Sequence, residues 1–338
     1  MRLLVLGGTA FVGRTVVRLA VAAGHEVTCA ARGVTGAPEA GATFRYVDRD
    51  RPDGLDVLDG LEFDALVDVS SRPSHVRRAV AALAPRIGHA VYVSSASVYT
   101  DNGTPGQGVT GVAVYAPATS EQDDPSGNDR GNYGPCKVAC EQAAIGAFGP
   151  DRVAVCRAGL IIGPFDTTNR FGYWVSRLVR GGEVLAPGTP ADRVQYVDVR
   201  DLAAWLIDLA DAGVAGTFNG AGTPVSFEHF LHRVAAGVGR DGPELTWVDQ
   251  EFLLAWGVRP WAGVRSLPLW LPLPAYAGFL TRDVAASLAT GMRTRDVADT
   301  ARDTLTWLAD RPTAPGDGDG LRAADEAAIL AAWHTRTG

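Results

Sequence analysis

The chain opens on Arg2-Leu-Leu-Val-Leu-Gly-Gly-Thr-Ala-Phe-Val-Gly13, and the reading of this stretch decides the fold. Arg2–Leu6 is a short apolar run that reads as a strand, and Gly7 lets the chain turn tightly after it. From Phe11 to Ala23 apolar residues recur at helical spacing, and Gly24 stops the helix. Gly13 allows that helix to pack closely on the sheet. Together Gly7, Thr9, Ala10, Phe11, Val12 and Gly13 offer backbone N–H groups and the positive end of a helix dipole to a pyrophosphate. Ala10 stands where such a turn usually has its middle glycine. Val27–Ala31 is again strand-like, so strand, glycine turn, helix and strand follow in order. That is the opening of a doubly wound parallel sheet.

Outward from this unit the alternation continues. Thr43–Val47 and Ala65–Val69 read as strands, Ser74–Leu83 as a helix and Ala90–Ser94 as a strand. A polar stretch rich in glycine and proline runs from Asp101 to Gly131. A helix from about Gly134 to Phe148 and a strand Val153–Arg157 follow. Farther on, Val194–Val199 reads as one strand and Asp201–Ala212 as a helix. Pro243 to Phe279 gathers Trp247, Trp256, Trp261 and Trp270 among five prolines, a composition suited to a small lobe held by aromatic packing. The polar Thr313–Gly320 reads as a flexible joint before a last helix, Leu321–His334. The expected organisation is a Rossmann-type α/β domain over residues 1–165, with returning segments at about 192–220 and 280–300. A smaller C-terminal substrate lobe takes 166–191 and 221–338.

The 338 residues are 46% hydrophobic and 20% charged, a composition that excludes a disordered chain. The formal net charge of −7 provides no global field for nucleic acid, and no apolar run approaches a membrane span. The first strand directly after Met1 leaves no room for a signal peptide. The four cysteines, Cys29, Cys136, Cys140 and Cys156, show neither a CxxC pair nor metal-ligand spacing. A soluble, cytoplasmic protein without a metal is expected.

Of the 31 basic residues, 30 are arginine; the single lysine is Lys137. It closes Tyr133-Gly-Pro-Cys-Lys137, whose four-residue spacing puts both side chains on one helical face. A tyrosine serves as general acid and base when a neighbouring ammonium favours its phenolate. The one lysine therefore stands where that chemistry needs it. The strand end Tyr92-Val-Ser-Ser-Ala-Ser-Val-Tyr99 supplies a hydroxyl for the charge developing on a reacting oxygen. Ser95 is the candidate, with Ser94 and Ser97 as rivals. At the end of the second strand, Ala31-Arg32-Gly33 offers no acid for a ribose hydroxyl but an arginine suited to a 2′-phosphate. NADP is therefore expected, with NAD as the alternative. Asp48 is a candidate to meet the adenine. Phe171, Trp174, Arg170 and Arg193 are candidates to meet a substrate, the arginines through an anionic group.

Taken together, LGGTAFVG, YVSSASVYT, YGPCK, RAGLIIGP (Arg157–Pro164) and VQYVDVRDLA (Val194–Ala203) resemble the extended and atypical short-chain dehydrogenases/reductases, often labelled the NAD-dependent epimerase/dehydratase family. The resemblance covers roughly residues 1–310. It implies that Tyr133 exchanges a proton with the substrate, that Lys137 also holds the nicotinamide ribose and that Ser95 binds the substrate oxygen. It also implies a homodimer paired through helices beside the site. The arginine that clamps a diphosphate in sugar-nucleotide epimerases falls on Val194, and the Thr-Asp-Glu of dehydratases on Ser95, Ala96 and Ser97. The function expected first is an NADP-dependent carbonyl reductase or alcohol dehydrogenase of a small metabolite. An epimerase that retains its cofactor, acting on a sugar nucleotide or another small molecule, is the alternative. A non-catalytic relative that binds cofactor or RNA is a third reading, opposed by the acidic pI and the intact Ser95, Tyr133 and Lys137.

Overall fold

The computed structural model describes residues 1–125, 130–310 and 320–337. Its strands β1 (Arg2–Leu6), β2 (Glu26–Ala31), β3 (Thr43–Tyr46), β4 (Phe63–Asp68), β5 (Ile87–Ser95) and β6 (Val153–Ala158) appear where the apolar runs lie. Helices α1 (Phe11–Ala22), α2 (Pro73–Leu83) and α3 (Tyr133–Phe148) connect them. Beyond these come β7 (Leu160–Ile162), α4 (Arg170–Arg180), β8 (Glu183–Pro187), β9 (Arg193–Val194), β10 (Tyr196–Asp198), α5 (Val199–Asp211) and β11 (Gly216–Gly220). A seven-stranded parallel sheet forms in the order β11-β6-β5-β4-β1-β2-β3. The order reverses between β1 and β4, and the crevice at that reversal is where doubly wound sheets bind ligands.

Both sheet faces are covered, which is why these strands read as continuous apolar runs rather than alternating ones. Leu3, Val5, Val16, Val17, Val67 and Trp205 fill one side under α1 and α5. Leu4, Leu6, Leu66, Tyr92, Leu83 and Phe148 fill the other under α2 and α3. Gly13 explains how α1 sits so close: a Cβ there would stand 2.3 Å from the Gly7 carbonyl oxygen. Any side chain at that position would push the helix off the turn.

The lobe has a core of its own, in which α4 packs with helices Phe227–Gly237 and Val297–Ala309. Strand Glu244–Val248 pairs in parallel with β8. The last helix spans Ala323–Thr337, and its buried Glu326 meets Arg177 of α4 at 2.6 Å. The last helix was expected over Leu321–His334, and within Pro243–Phe279 only the short helix Gln250–Ala255 forms. The strand anticipated over Val194–Val199 is broken in two. Val194 pairs antiparallel with Val225, while Tyr196–Asp198 runs parallel to β7. Between them Gln195 is buried and spends its amide on Gly222, Arg282 and the Arg282 N–H instead of on a ladder. Apart from Gly320, the Thr313–Gly320 joint lies outside the described residues.

All four cysteines are buried and unpaired, and burial pushes the thiols of Cys29 and Cys140 up to about 11 and that of Cys156 to about 12. Among the described residues there is no group of three or more His, Cys, Asp or Glu that could hold a metal, and no helix is long and apolar enough to cross a membrane.

Candidate active site

At its carboxyl end β5 runs into a single 3₁₀ turn, Ala96–Val98, and Ser95 caps that turn. The Ser95 hydroxyl accepts the Ser97 N–H at 3.1 Å and donates to the Ser97 hydroxyl at 3.2 Å. The first turn of α3 rests on this corner because residue 134 is glycine. A Cβ there would stand 2.3 Å from the Ser97 carbonyl oxygen. Tyr133, one residue earlier, thereby shares a cleft with Ser95 and Ser97.

One helical turn along, Lys137 is 2% exposed and lines the same cleft. Its ammonium donates to the Val93 carbonyl at 2.7 Å and the Ser70 carbonyl at 2.9 Å, and stands 5.1 Å from the Tyr92 ring centroid. A lysine ammonium has three donors, and two are spent on these carbonyls. The third is left for the cleft. Tyr92 donates its own hydroxyl to Ser70, and burial raises its pKa well above the usual phenol range, so it stays a neutral strut.

Another turn along, Glu141 is buried and answers the question of the rival serines. The Ser94 hydroxyl donates to its carboxylate at 2.5 Å, and Arg157 at the end of β6 grips both its oxygens at 3.1 and 2.9 Å. Ser94 is committed to holding β5, β6 and α3 together. Ser95 keeps its hydroxyl at the cleft.

Beside the glycine turn is a pocket of about 190 Å³, with Gly7, Thr9, Ala10, Ala31, Arg32, Arg49 and His75 among its lining residues. No carboxylate ends β2. Arg32 is half exposed and lies 3.5 Å from Asp50. Asp50 also accepts from Arg72 at 2.9 Å and meets His75 at 2.8 Å. The His75 contact holds its carboxyl below the usual range, while burial lowers the pKa of His75. Asp48 accepts the Asp50 N–H; its neighbour Arg49, paired with Asp68 at 2.8 Å, is the one that lines this pocket. A glycine turn bare enough for Gly13 to touch Gly7, ending beside Phe11 and Val12 of the cleft, fits a dinucleotide.

The cleft holds about 720 Å³, and its far wall comes from Asp166, Thr168, Arg170, Trp261 and Phe279. Asp166 is 4% exposed; one of its oxygens accepts the Thr168 N–H at 2.9 Å and hydroxyl at 2.7 Å. Arg170 donates to the Thr168 hydroxyl at 3.1 Å and lies 5.0 Å over the Trp261 ring.

Three substrate candidates are not part of this wall. Phe171 and Trp174 are fully buried in the lobe core, and the Trp174 indole donates to the Pro268 carbonyl at 2.7 Å. Residues 171, 174, 175 and 178 form one apolar stripe of α4 at helical spacing, the signal that marks them as core. Arg193 lies at a separate apolar pocket and donates to the Pro224 carbonyl. Asp166 and Phe279 are not singled out by the sequence, and Trp261 only as one of the lobe's tryptophans, because no spacing rule links a loop residue to residues about a hundred positions away.

Residues 3–219 match the model of the NAD dependent epimerase/dehydratase family. No curated sequence is significantly similar to the chain. Among solved structures, UDP-N-acetylglucosamine 4-epimerase from Bacillus cereus superposes with a TM-score of 0.64 at 16% identity, covering 93% of this chain and 99% of that one. A putative epimerase from Burkholderia cenocepacia J2315 gives 0.64 at 21% identity, covering 91% and 98%. UDP-glucuronic acid 4-epimerase from Bacillus cereus, solved in complex with NAD, gives 0.63 at 11% identity, covering 91% and 98%.

Proposed function

The chain belongs to the NAD-dependent epimerase/dehydratase family, and from that premise we propose that it is an epimerase of a small hydroxylated metabolite, inverting one secondary alcohol with a retained NAD. The observation that carries the reading is the meeting of Ser95, Tyr133 and Lys137 in one cleft with Phe11 and Val12 of the glycine turn. The likeness to UDP-sugar epimerases favours inversion over the net reduction expected first.

Gly7, Thr9, Ala10, Phe11, Val12, Gly13 and Lys137 would hold the dinucleotide. A bound dinucleotide would supply reversible hydride transfer at the substrate carbon. Ser95 donates to the oxygen on that carbon, and Tyr133 takes and gives back its proton. The ammonium of Lys137, fixed by two carbonyls, has its third donor left for the cleft that Tyr133 also lines. Trp261 and Phe279, edge to face at 5.4 Å, would line the apolar side of the cleft where the transient ketone presents its other face.

A second reading has its own support. Arg32 and His75 flank the nucleotide pocket and no acid ends β2, a pattern that suits NADP and net carbonyl reduction. One experiment separates the two. Nucleotide released from the purified protein is identified by mass, and the protein is incubated with UDP-N-acetylglucosamine, UDP-glucose or UDP-glucuronic acid while NMR follows the sugar protons. Co-purified NAD and inversion without accumulating NADH support the epimerase. An empty protein that prefers NADPH to NADH and consumes it with ketones overturns it in favour of the reductase.

A further inference from the structure

The far wall of the cleft is tied to the near one through a buried arginine outside the cleft lining. Tyr99 follows the Ser95–Ser97 corner by two residues, is fully buried and donates its hydroxyl to the Asn219 side chain of β11 at 2.6 Å. Arg282 is 2% exposed, and its guanidinium lies 4.2 Å over the Tyr99 ring. Its fork ends on three neutral oxygens: the Gln107 amide at 2.6 Å, the Asp101 backbone carbonyl at 2.6 Å and the Asn102 amide at 3.3 Å. Gln107 in turn donates to the Asp101 carboxylate at 2.9 Å. Holding a guanidinium out of water on neutral acceptors is costly. What this one fastens is the seam between residues 101–107 and 278–283. Backbone bonds close the same seam: Gly278 and Phe279 donate to the Asn102 carbonyl at 2.8 and 3.1 Å, and Asp283 donates to that of Gln107 at 3.0 Å. The chains run so close that a Cβ on Gly278 would stand 2.1 Å from the Thr104 carbonyl oxygen. Phe279, carried on this seam, lines the cleft edge to face with Trp261.

We propose that Arg282 is a positioning residue that sets the span between the Ser95 corner and the aromatic pair of Phe279 and Trp261. The cleft thereby takes a secondary alcohol that carries a flat apolar group. The alcohol end meets Ser95 and Tyr133, and the flat group lies against Phe279. Arg282 touches no substrate and acts through Phe279. This rests on the reading above that the cleft takes a secondary alcohol.

Cyclohexanol and 2-tetralol, which adds a fused benzene ring to it, are the probes. Calorimetry on NAD⁺-saturated protein measures the affinity of each, and NADH absorbance records turnover. The wild-type protein is expected to bind 2-tetralol about tenfold more tightly than cyclohexanol. Phe279→Ala and Arg282→Met should each remove most of that lead, with cyclohexanol and NAD⁺ affinities within about twofold of wild type. The double variant should lose no more than either single one, because the second change has nothing left to remove. Arg282→Lys should recover part of the lead, since an ammonium keeps the charge but cannot span all three acceptors. Gly278→Ala keeps Arg282 and spoils the same seam, so it should reproduce the pattern even where Arg282→Met does not fold. Losses that add in the double variant, or that fall equally on both alcohols, mark a merely structural arginine and overturn the proposal. A wild-type protein that binds the two alcohols equally, or binds neither, overturns it as well. The expected binding pattern with no NADH from either alcohol leaves the role of Arg282 in place and removes the dehydrogenation reading instead.

Discussion

The two walls of the cleft are built differently. Ser95, Tyr133 and Lys137 stand on the end of β5 and the first turns of α3, and backbone groups position them: Ser97 N–H, the Val93 and Ser70 carbonyls, the close approach at Gly134. Asp166 and Thr168 stand on irregular chain beside left-handed Phe165 and Asn169, and Trp261, at φ 73°, ends a three-residue strand, Arg259–Trp261. One wall is regular and its side chains are tied down. The other is largely loop over a packed lobe. On the proposed function, chemistry that must not vary would sit on the sheet, and recognition on the segments that can change without disturbing it.

The difference is sharpest if variants of the sheet wall remove turnover and leave binding intact. Tyr133→Phe should lower turnover by roughly 10³–10⁴-fold with cofactor affinity unchanged, measured by single-turnover kinetics and fluorescence titration. Near-normal rates would remove Tyr133 as the proton carrier. Lys137→Arg comes next, with a loss of about 10²-fold or more. A planar guanidinium cannot take the place of a buried ammonium between the Val93 and Ser70 carbonyls, even though the charge is kept. Full activity would make the lone lysine a coincidence of composition. Gly134→Ala should cost about 10²-fold in turnover, because its Cβ displaces α3 from Ser97 and shifts Tyr133. A silent Gly134→Ala would show that the corner is not what places the tyrosine.

Smaller effects test the far ends. Arg32→Ala should weaken NADPH by about tenfold and NADH much less. Equal losses would remove the arginine from cofactor choice. Trp174→Phe should leave turnover within about twofold while lowering stability by about 1–3 kcal/mol, since the Pro268 carbonyl loses its buried donor. A changed substrate preference in Trp174→Phe would mean that the lobe core reaches the cleft after all. That would blur the contrast drawn above.

The same contrast explains what could be read in the sequence. Strand, glycine turn and helix are local patterns, and so is a tyrosine four residues before a lysine. Local backbone rules therefore disclose the sheet and name Ser95, Tyr133 and Lys137, which the structure brings to one cleft. The far wall joins Asp166 to Trp261 and Phe279 through lobe packing, and nothing local encodes that. Phe171 and Trp174 look like recognition residues because they are large and aromatic, yet their helical spacing puts them inward. Ser94 and Ser95 are indistinguishable as letters; a buried Glu141 on a neighbouring helix separates them.

The cysteines turn this division into an optical handle. All four lie within residues 1–165, and the lobe contains none. Each is buried, and burial raises the thiol above its usual range, so a thiol-exchange reagent meets neither an accessible sulfur nor a ready thiolate. Labelling then occurs only when the sheet, α1 or α3 opens. The rate of colour release by such a reagent becomes a clock for breathing of the nucleotide-binding half alone, silent to motions of the lobe and slowed by whatever cofactor the sheet holds.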